Sequence, residues 1–129
     1  MTQKNDHIFR TISDNSATMQ TVKAGWATFL INIVSNLEVG GDACLGCVDF
    51  DKFHINLEKK MEDGVAKETL LHEICHIFLD LCGLGDSIEG SPEKFDVTNE
   101  ALAVTMTRAM LLFTNLNPKL AKELLNLNE

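Results

Sequence analysis

The sequence predicts a single α+β domain, and three observations support this: length, composition and a change in apolar periodicity along the chain. The chain has 129 residues, and one hydrophobic core typically serves about 100–200 residues. Hydrophobic residues make up 45% of the chain and charged residues 23%, which is typical of a globular protein. Apolar residues recur at helical spacing in three long segments, and they alternate with polar residues in a short segment after the first.

The first long segment, residues 16–38, predicts an amphipathic N-terminal helix. Its apolar residues follow the i, i+4, i+7, i+8 pattern of one helix face, and Gly40 and Gly41 end that pattern. Residues 1–15 are polar, so we expect a leader there, ahead of a single domain that covers residues 16–129.

Two short strands are predicted after this helix. Residues 43–49 and residues 52–57 both have the length of strands, and the second segment alternates apolar and polar side chains. A turn around Phe50 and Asp51 would join them in a small antiparallel hairpin, and we expect an edge strand at residues 53–57.

Three further helices complete the predicted order. Residues 65–82 have helical periodicity and are followed by Gly83, a residue that often ends helices. A third helix begins near Asp96 or Thr98, both good capping residues, and runs to about Asn115. Asn117-Pro118 then has the sequence of a helix start, so a last short helix is expected there.

The charge of the chain excludes some partners. Asp and Glu number 19 against 11 Lys and Arg, which gives a formal net charge of −8. Because nucleic-acid-binding proteins neutralise phosphates with clustered Lys and Arg, we expect no nucleic-acid partner. The longest apolar run is far shorter than the ~18–20 residues that cross a bilayer, and no signal peptide is visible. These features predict a cytoplasmic protein with no membrane partner.

Four cysteines raise the question of disulfides or a zinc site. Without a secretory signal, disulfides are not expected. Cys75 and Cys82 lie on one predicted helix about 10 Å apart, too far for two ligands of one tetrahedral zinc ion. We expect all four thiols to be reduced and to pack as small hydrophobic groups. A structural site at Cys44 and Cys47 stays an alternative.

The helix at residues 65–82 contains the motif H-E-x-x-H, at residues 72–76. His72 and His76 are four residues apart, so both imidazoles lie on one helix face and can bind the same metal ion. Glu73 is rotated by about 100° from His72, which places its carboxylate beside the metal as a general base for a metal-bound water. The motif therefore predicts one Zn²⁺ per chain, with Glu73 as the catalytic residue.

A zinc ion held by two histidines needs a third protein ligand and an open position. Glu100 is the first candidate, because it lies early in the next predicted helix, 24 residues after His76. Asp80 lies one turn beyond His76, and we expect it to orient an imidazole from outside the coordination sphere. Arg108 is a candidate cation for stabilising an oxyanion. Cys44 or Cys47 stays open as an alternative third ligand.

The motif and its surroundings resemble a known family. The segment from Lys67 to Ile77, the later Thr98-Asn99-Glu100-Ala101 and the pair Asn117-Pro118 are similar to small, often phage-borne, ImmA/IrrE-type metallopeptidases. The resemblance covers about half the chain. It implies a minimal zincin-like fold, zinc ligands His72, His76 and Glu100, and residence in the cytoplasm of a bacterium or phage host. Peptide deformylases also have this motif with an upstream Cys ligand, but the chain lacks their glycine-rich, glutamine-containing segment.

These observations predict a zinc-dependent metallopeptidase that hydrolyses a peptide bond with a zinc-activated water and Glu73 as general base. Its partner would be a protein or peptide substrate, aligned by strand addition on the expected edge strand at residues 53–57. The alternative is a non-catalytic, zinc-stapled acidic protein that binds and modulates a host or regulatory protein.

Overall fold

The computed structural model describes residues 7–14, 20–81 and 99–125. Within these ranges the chain forms four helices and six strands, which confirms the predicted α+β class. The helices are α1 (Ile8–Asp14), α2 (Asp63–Leu81), α3 (Asn99–Leu116) and α4 (Pro118–Leu125). The strands are β1 (Thr21–Ala24), β2 (Ala27–Val34), β3 (Glu38–Val39), β4 (Asp42–Ala43), β5 (Gly46–Asp49) and β6 (His54–Glu58).

Four of the strands form one sheet in the order β1-β2-β6-β5, and β3 and β4 form a separate small hairpin. The predicted hairpin is confirmed, because β5 and β6 pair antiparallel with Val48 opposite Ile55. The sheet is mixed rather than antiparallel, since β2 and β6 are parallel. Strand β6 is therefore internal, and the expectation of an edge strand at residues 53–57 is wrong. Of the described strands, β1 and β5 form the edges.

The helix predicted for residues 16–38 is also wrong, because residues 21–34 form β1 and β2. Gly25 and Trp26 make a two-residue turn between these strands, with Ala24 opposite Ala27 and a φ of +77° at Gly25. Glycine adopts this left-handed conformation without a steric cost, and it is typical of a tight hairpin turn. Buried and exposed side chains alternate from Ala27 to Ile31, as expected for a strand.

The N-terminal helix lies earlier, at Ile8–Asp14, within the segment expected to be a leader. Ile8, Phe9 and Ile12 are buried in the core. The backbone N–H of Ile8 donates to Asp63 Oδ1 at 2.6 Å, and His7 Nε2 lies 2.6 Å from the carbonyl oxygen of Met61. These contacts attach α1 to the start of α2, so residues 8–14 belong to the same core as the sheet.

Helix α2 is the central helix of the fold. It begins at Asp63, two residues before the predicted start, and buries one face against the sheet and α1. The predicted end at Gly83 lies outside the described residues. The buried apolar residues on that face are Ala66, Leu70, Ile74, Ile77 and Phe78. Phe78 also contacts Phe113 of α3, with ring centroids 5.8 Å apart. The helix that contains the motif is therefore fixed on one side by core packing.

Helix α4 begins at Pro118, as predicted. The side chain of Asn117, the residue before it, also connects this helix to strand β1. Its Oδ1 accepts a hydrogen bond from the backbone N–H of Lys23 at 2.7 Å, and its Nδ2 donates to the Lys23 carbonyl at 2.9 Å. Asn117 is buried, and it thereby satisfies both outward backbone groups of one residue on edge strand β1.

We expect Asn117→Ala to lower the free energy of unfolding by about 1–3 kcal/mol, because it leaves the backbone groups of Lys23 without their partner. Urea denaturation of wild type and variant measures the change. Asn115→Ala, at an exposed position near the end of α3, is the control and should change stability little. Equal stability of the two variants would contradict this role of Asn117.

The Asp63 carboxylate predicts an acid-dependent loss of stability. Burial raises the pKa of Asp63, but the hydrogen bond from Ile8 and the Lys67 ammonium at 3.2 Å lower it more, so the net pKa lies below its ordinary value of 3.8. A lowered carboxyl pKa stabilises the folded state above the unfolded pKa, and the contribution is lost as pH falls through the folded pKa.

Wild type should therefore be more stable than Asp63→Asn at pH 7, and this difference should shrink as the pH falls below about 4. Unfolding free energies measured across this range test the expectation. Glu62→Gln, which removes the neighbouring exposed carboxylate, is the matched control. A difference that stays constant down to strong acid would show that Asp63 does not act through its charge.

Candidate metal centre

The two histidines of the motif lie one turn apart on α2, away from its core face. His72 is exposed and His76 is half-buried. Their Nε2 atoms are 3.1 Å apart, and the ring planes are at 84° to each other. Both nitrogens therefore converge on one point beside the helix, as the i, i+4 spacing predicts.

The distance between the two Nε2 atoms fits a shared metal ion. Two nitrogens bound at about 2.0–2.1 Å to a tetrahedral zinc ion lie about 3.3 Å apart, which is close to the observed distance. Without a metal, the same distance lets one ring donate a hydrogen bond to the other. Metal binding would replace that single hydrogen bond and would need only a small movement of the rings.

Glu73 lies between the core face and the histidine face of α2. Its side chain is buried, with 7% of its surface exposed. Its Oε2 atom lies against the backbone of β5, 3.2 Å from the position that a Cβ atom on Gly46 would take. The carboxylate is thus held between the helix and the edge strand, next to His72 in the chain but turned toward the strand.

A groove of about 450 Å³ runs between the first half of α2 and the start of β5. Its lining residues are Leu45, Gly46, Val65, Glu68, Thr69, His72 and Glu73. One of the two proposed histidine ligands and the proposed general base therefore open into the same groove. Because β5 is an edge strand of the described sheet, the groove has a strand edge as one wall.

Gly46 sets the width of this groove, and sequence reasoning did not single it out. A Cβ atom there would lie 2.9 Å from Thr69 Cγ2 and 3.2 Å from Leu57 Cδ2 as well as close to Glu73. Such distances are too short for ordinary packing. A lone glycine within a strand pattern often marks a close approach of backbone to another group, and this was the available signal.

None of the three described cysteines forms a metal-binding group with the histidine pair. Cys44, Cys47 and Cys75 are free thiols in the structure, and Cys82 lies outside the described residues. Among the side chains that the structure describes, no three His, Cys, Asp or Glu residues form a group that could hold a metal ion. Burial raises the pKa of the Cys44 thiol, and the nearby Cys47 and Glu73 charges raise it further.

The third ligand predicted from the sequence is Glu100, the second residue of α3. Its side chain lies outside the described part of the chain, so its role stays a prediction. Neither of the other two candidates lines the groove. Asp80 is exposed and lines a separate pocket with Trp26, and Arg108 is exposed on α3.

No family model, curated protein or solved structure matches the chain. The resemblance to ImmA/IrrE-type metallopeptidases therefore depends on the motif segment and stays a prediction. Among the described helices, none is both long enough and apolar enough to cross a membrane.

We expect Gly46→Ala to destabilise the fold by about 1–3 kcal/mol, because the new methyl group overlaps the Thr69 methyl group. Thr69→Ser removes that methyl group, so the double variant should recover part of the loss. Urea denaturation of the two single variants and the double variant measures the coupling. Strictly additive effects would show that the two residues do not limit the approach of β5 to α2.

Proposed function

We propose that the protein is a zinc-dependent metallopeptidase of the small zincin type. One observation carries the proposal: the Nε2 atoms of His72 and His76 are 3.1 Å apart, and His72 lines the same groove as the buried Glu73. Two convergent imidazoles with an adjacent carboxylate are the groups that metal-assisted hydrolysis of an amide needs.

His72, His76 and Glu100 would hold the metal. Two imidazole nitrogens and one carboxylate are a common ligand set of catalytic zinc, and they leave one position open. Glu100 would supply the carboxylate from a second helix. When bound, zinc supplies a Lewis acid that lowers the pKa of water and polarises a carbonyl group.

Glu73 would accept the proton of the attacking water and pass it to the leaving amine. Its position suits this role, because the carboxylate opens into the groove while the close backbone of Gly46 limits its movement. General base catalysis depends on such positioning of the base within hydrogen-bond reach of the water.

The substrate would bind as an extended peptide on the edge of β5. Strand addition to an open sheet edge provides main-chain hydrogen bonds that do not depend on sequence. The other described edge, β1, is less suited, because Asn117 occupies both backbone groups of Lys23. Strand β5 is also the edge that borders the groove with His72 and Glu73.

Metal content and turnover of three variants test the proposal. We expect about one zinc per chain in wild type and in Glu73→Gln, and loss of zinc in His72→Ala and Glu100→Ala. Glu73→Gln should lower peptide cleavage by a factor of about 10²–10⁴. Elemental analysis and mass spectrometry of a random peptide mixture measure the two effects.

Glu123→Gln, an exposed carboxylate on α4, is the control and should keep both zinc and turnover. Full turnover in Glu73→Gln would contradict the hydrolytic mechanism. Zinc bound by wild type without any turnover would instead favour the non-catalytic, zinc-stapled protein.

A further inference from the structure

A smaller pocket lies at the other end of α2, and four of its nine lining residues are aromatic. Its volume is about 120 Å³, which is room for the end of one side chain. Three of the chain's seven Phe residues and its one Trp line it, although they are distant in sequence. The lining residues are Ala24, Trp26, Ala27, Phe29, Phe50, Phe53, Ile77, Asp80 and Leu81. We call this the aromatic pocket.

The rings of the aromatic pocket are arranged edge to face. Phe29 contacts Phe50 and Phe53 with centroid distances of 5.9 and 5.4 Å, and Trp26 contacts Phe53 at 5.6 Å. Phe29 is buried and forms the floor, whereas Trp26 is 76% exposed and Phe50 40% exposed. Perpendicular rings around a small space present both faces and edges to whatever enters it.

Two residues with positive φ position the rings of Trp26 and Phe53 at the aromatic pocket. Gly25, with φ of +77°, allows the tight turn that presents Trp26, and Phe53 itself has a φ of +58°. A bulky residue rarely adopts this left-handed conformation, and it costs conformational energy. Phe53 adopts this conformation in a turn, and its ring contacts both Phe29 and Trp26.

Asp80 is the one charged residue among the described residues that line the aromatic pocket. Its side chain is exposed on the last described turn of α2. Across residues 7–14, 20–81 and 99–125, no Lys or Arg forms an ion pair with it. The pocket thus combines aromatic faces with one negative charge.

We propose that the aromatic pocket binds the basic side chain of a Lys or Arg residue in a protein partner. Aromatic faces attract cations through the ring quadrupole, and the attraction strengthens when the cation is partly desolvated. Asp80 adds a direct opposite charge, and the net charge of −8 favours approach of a basic partner. The pocket does not share lining residues with the groove at His72 and Glu73, so this binding does not depend on the proposed metal.

Trp26 is the only tryptophan, so its fluorescence reports on the aromatic pocket directly. The full chain is titrated with N-acetyl-lysine amide and, separately, with the uncharged N-acetyl-norleucine amide. We expect a saturable change with the lysine probe and binding of the norleucine probe that is about tenfold weaker. Equal binding of the two probes would overturn the proposal.

Substitutions at two exposed residues test whether the lysine probe binds at the aromatic pocket. Asp80→Asn and Phe50→Leu should each weaken binding of the lysine probe about threefold, because they remove the carboxylate and an aromatic face. Asp42→Asn removes the same charge from an exposed position on β4 and should leave binding unchanged. An equal effect of Asp80→Asn and Asp42→Asn would show general charge attraction only, and so would overturn the site.

Repeating the titration with a metal chelator tests this proposal independently of the proposed metallopeptidase function, because the chelator removes any bound metal. Binding of the lysine probe should stay the same, even if metal and turnover are lost. Loss of binding with the chelator would overturn the assignment of a separate site. Circular dichroism of each variant shows that a change in binding does not come from unfolding.

Discussion

The close approach of strand β5 to helix α2 at Gly46 is the contact on which the rest of the candidate site depends. Because residue 46 has no side chain, the strand backbone lies against Thr69 and Glu73. The same contact forms the wall of the groove and limits the freedom of the Glu73 carboxylate. As the proposed general base, Glu73 would be fixed by backbone on one side and by a packed helix on the other, so it would need little reorganisation before accepting a proton.

Helix α2 connects this contact to the core. Leu70, Ile74 and Ile77 bury one face, so the opposite face holds His72 and His76 at a fixed spacing. A functional site on a rigid helix is positioned more accurately than one on a loop. The polar face need not contribute to core packing, because the apolar face already keeps the helix in place.

The sequence predicted the later helices and the i, i+4 convergence of His72 and His76 better than it predicted the first strands. The motif helix, α3 and α4 have sustained 3.6-residue periodicity or clear start signals, and these signals are local. The helix prediction was wrong for residues 21–34 because apolar side chains occur on both faces of the strands. Leu30, for example, is 41% exposed, while its neighbours Phe29 and Ile31 are buried. That pattern also satisfies helical spacing, and only the Gly25-Trp26 turn pointed to a hairpin. Gly46 and the aromatic pocket depend on tertiary contacts between distant segments, which periodicity does not reveal.

Strand β5 relates the two proposed sites to each other. Gly46, its first residue, borders the groove with Glu73, and Phe50, the residue after its end, lines the aromatic pocket. Four residues of extended strand span about 13 Å, and α2 covers a similar distance from His72 to Asp80. A peptide added antiparallel to β5 would therefore have its N-terminal side near the aromatic pocket and its C-terminal side near the groove. In that arrangement a basic residue would lie upstream of the bond beside Glu73, so one extended segment is long enough to occupy both sites.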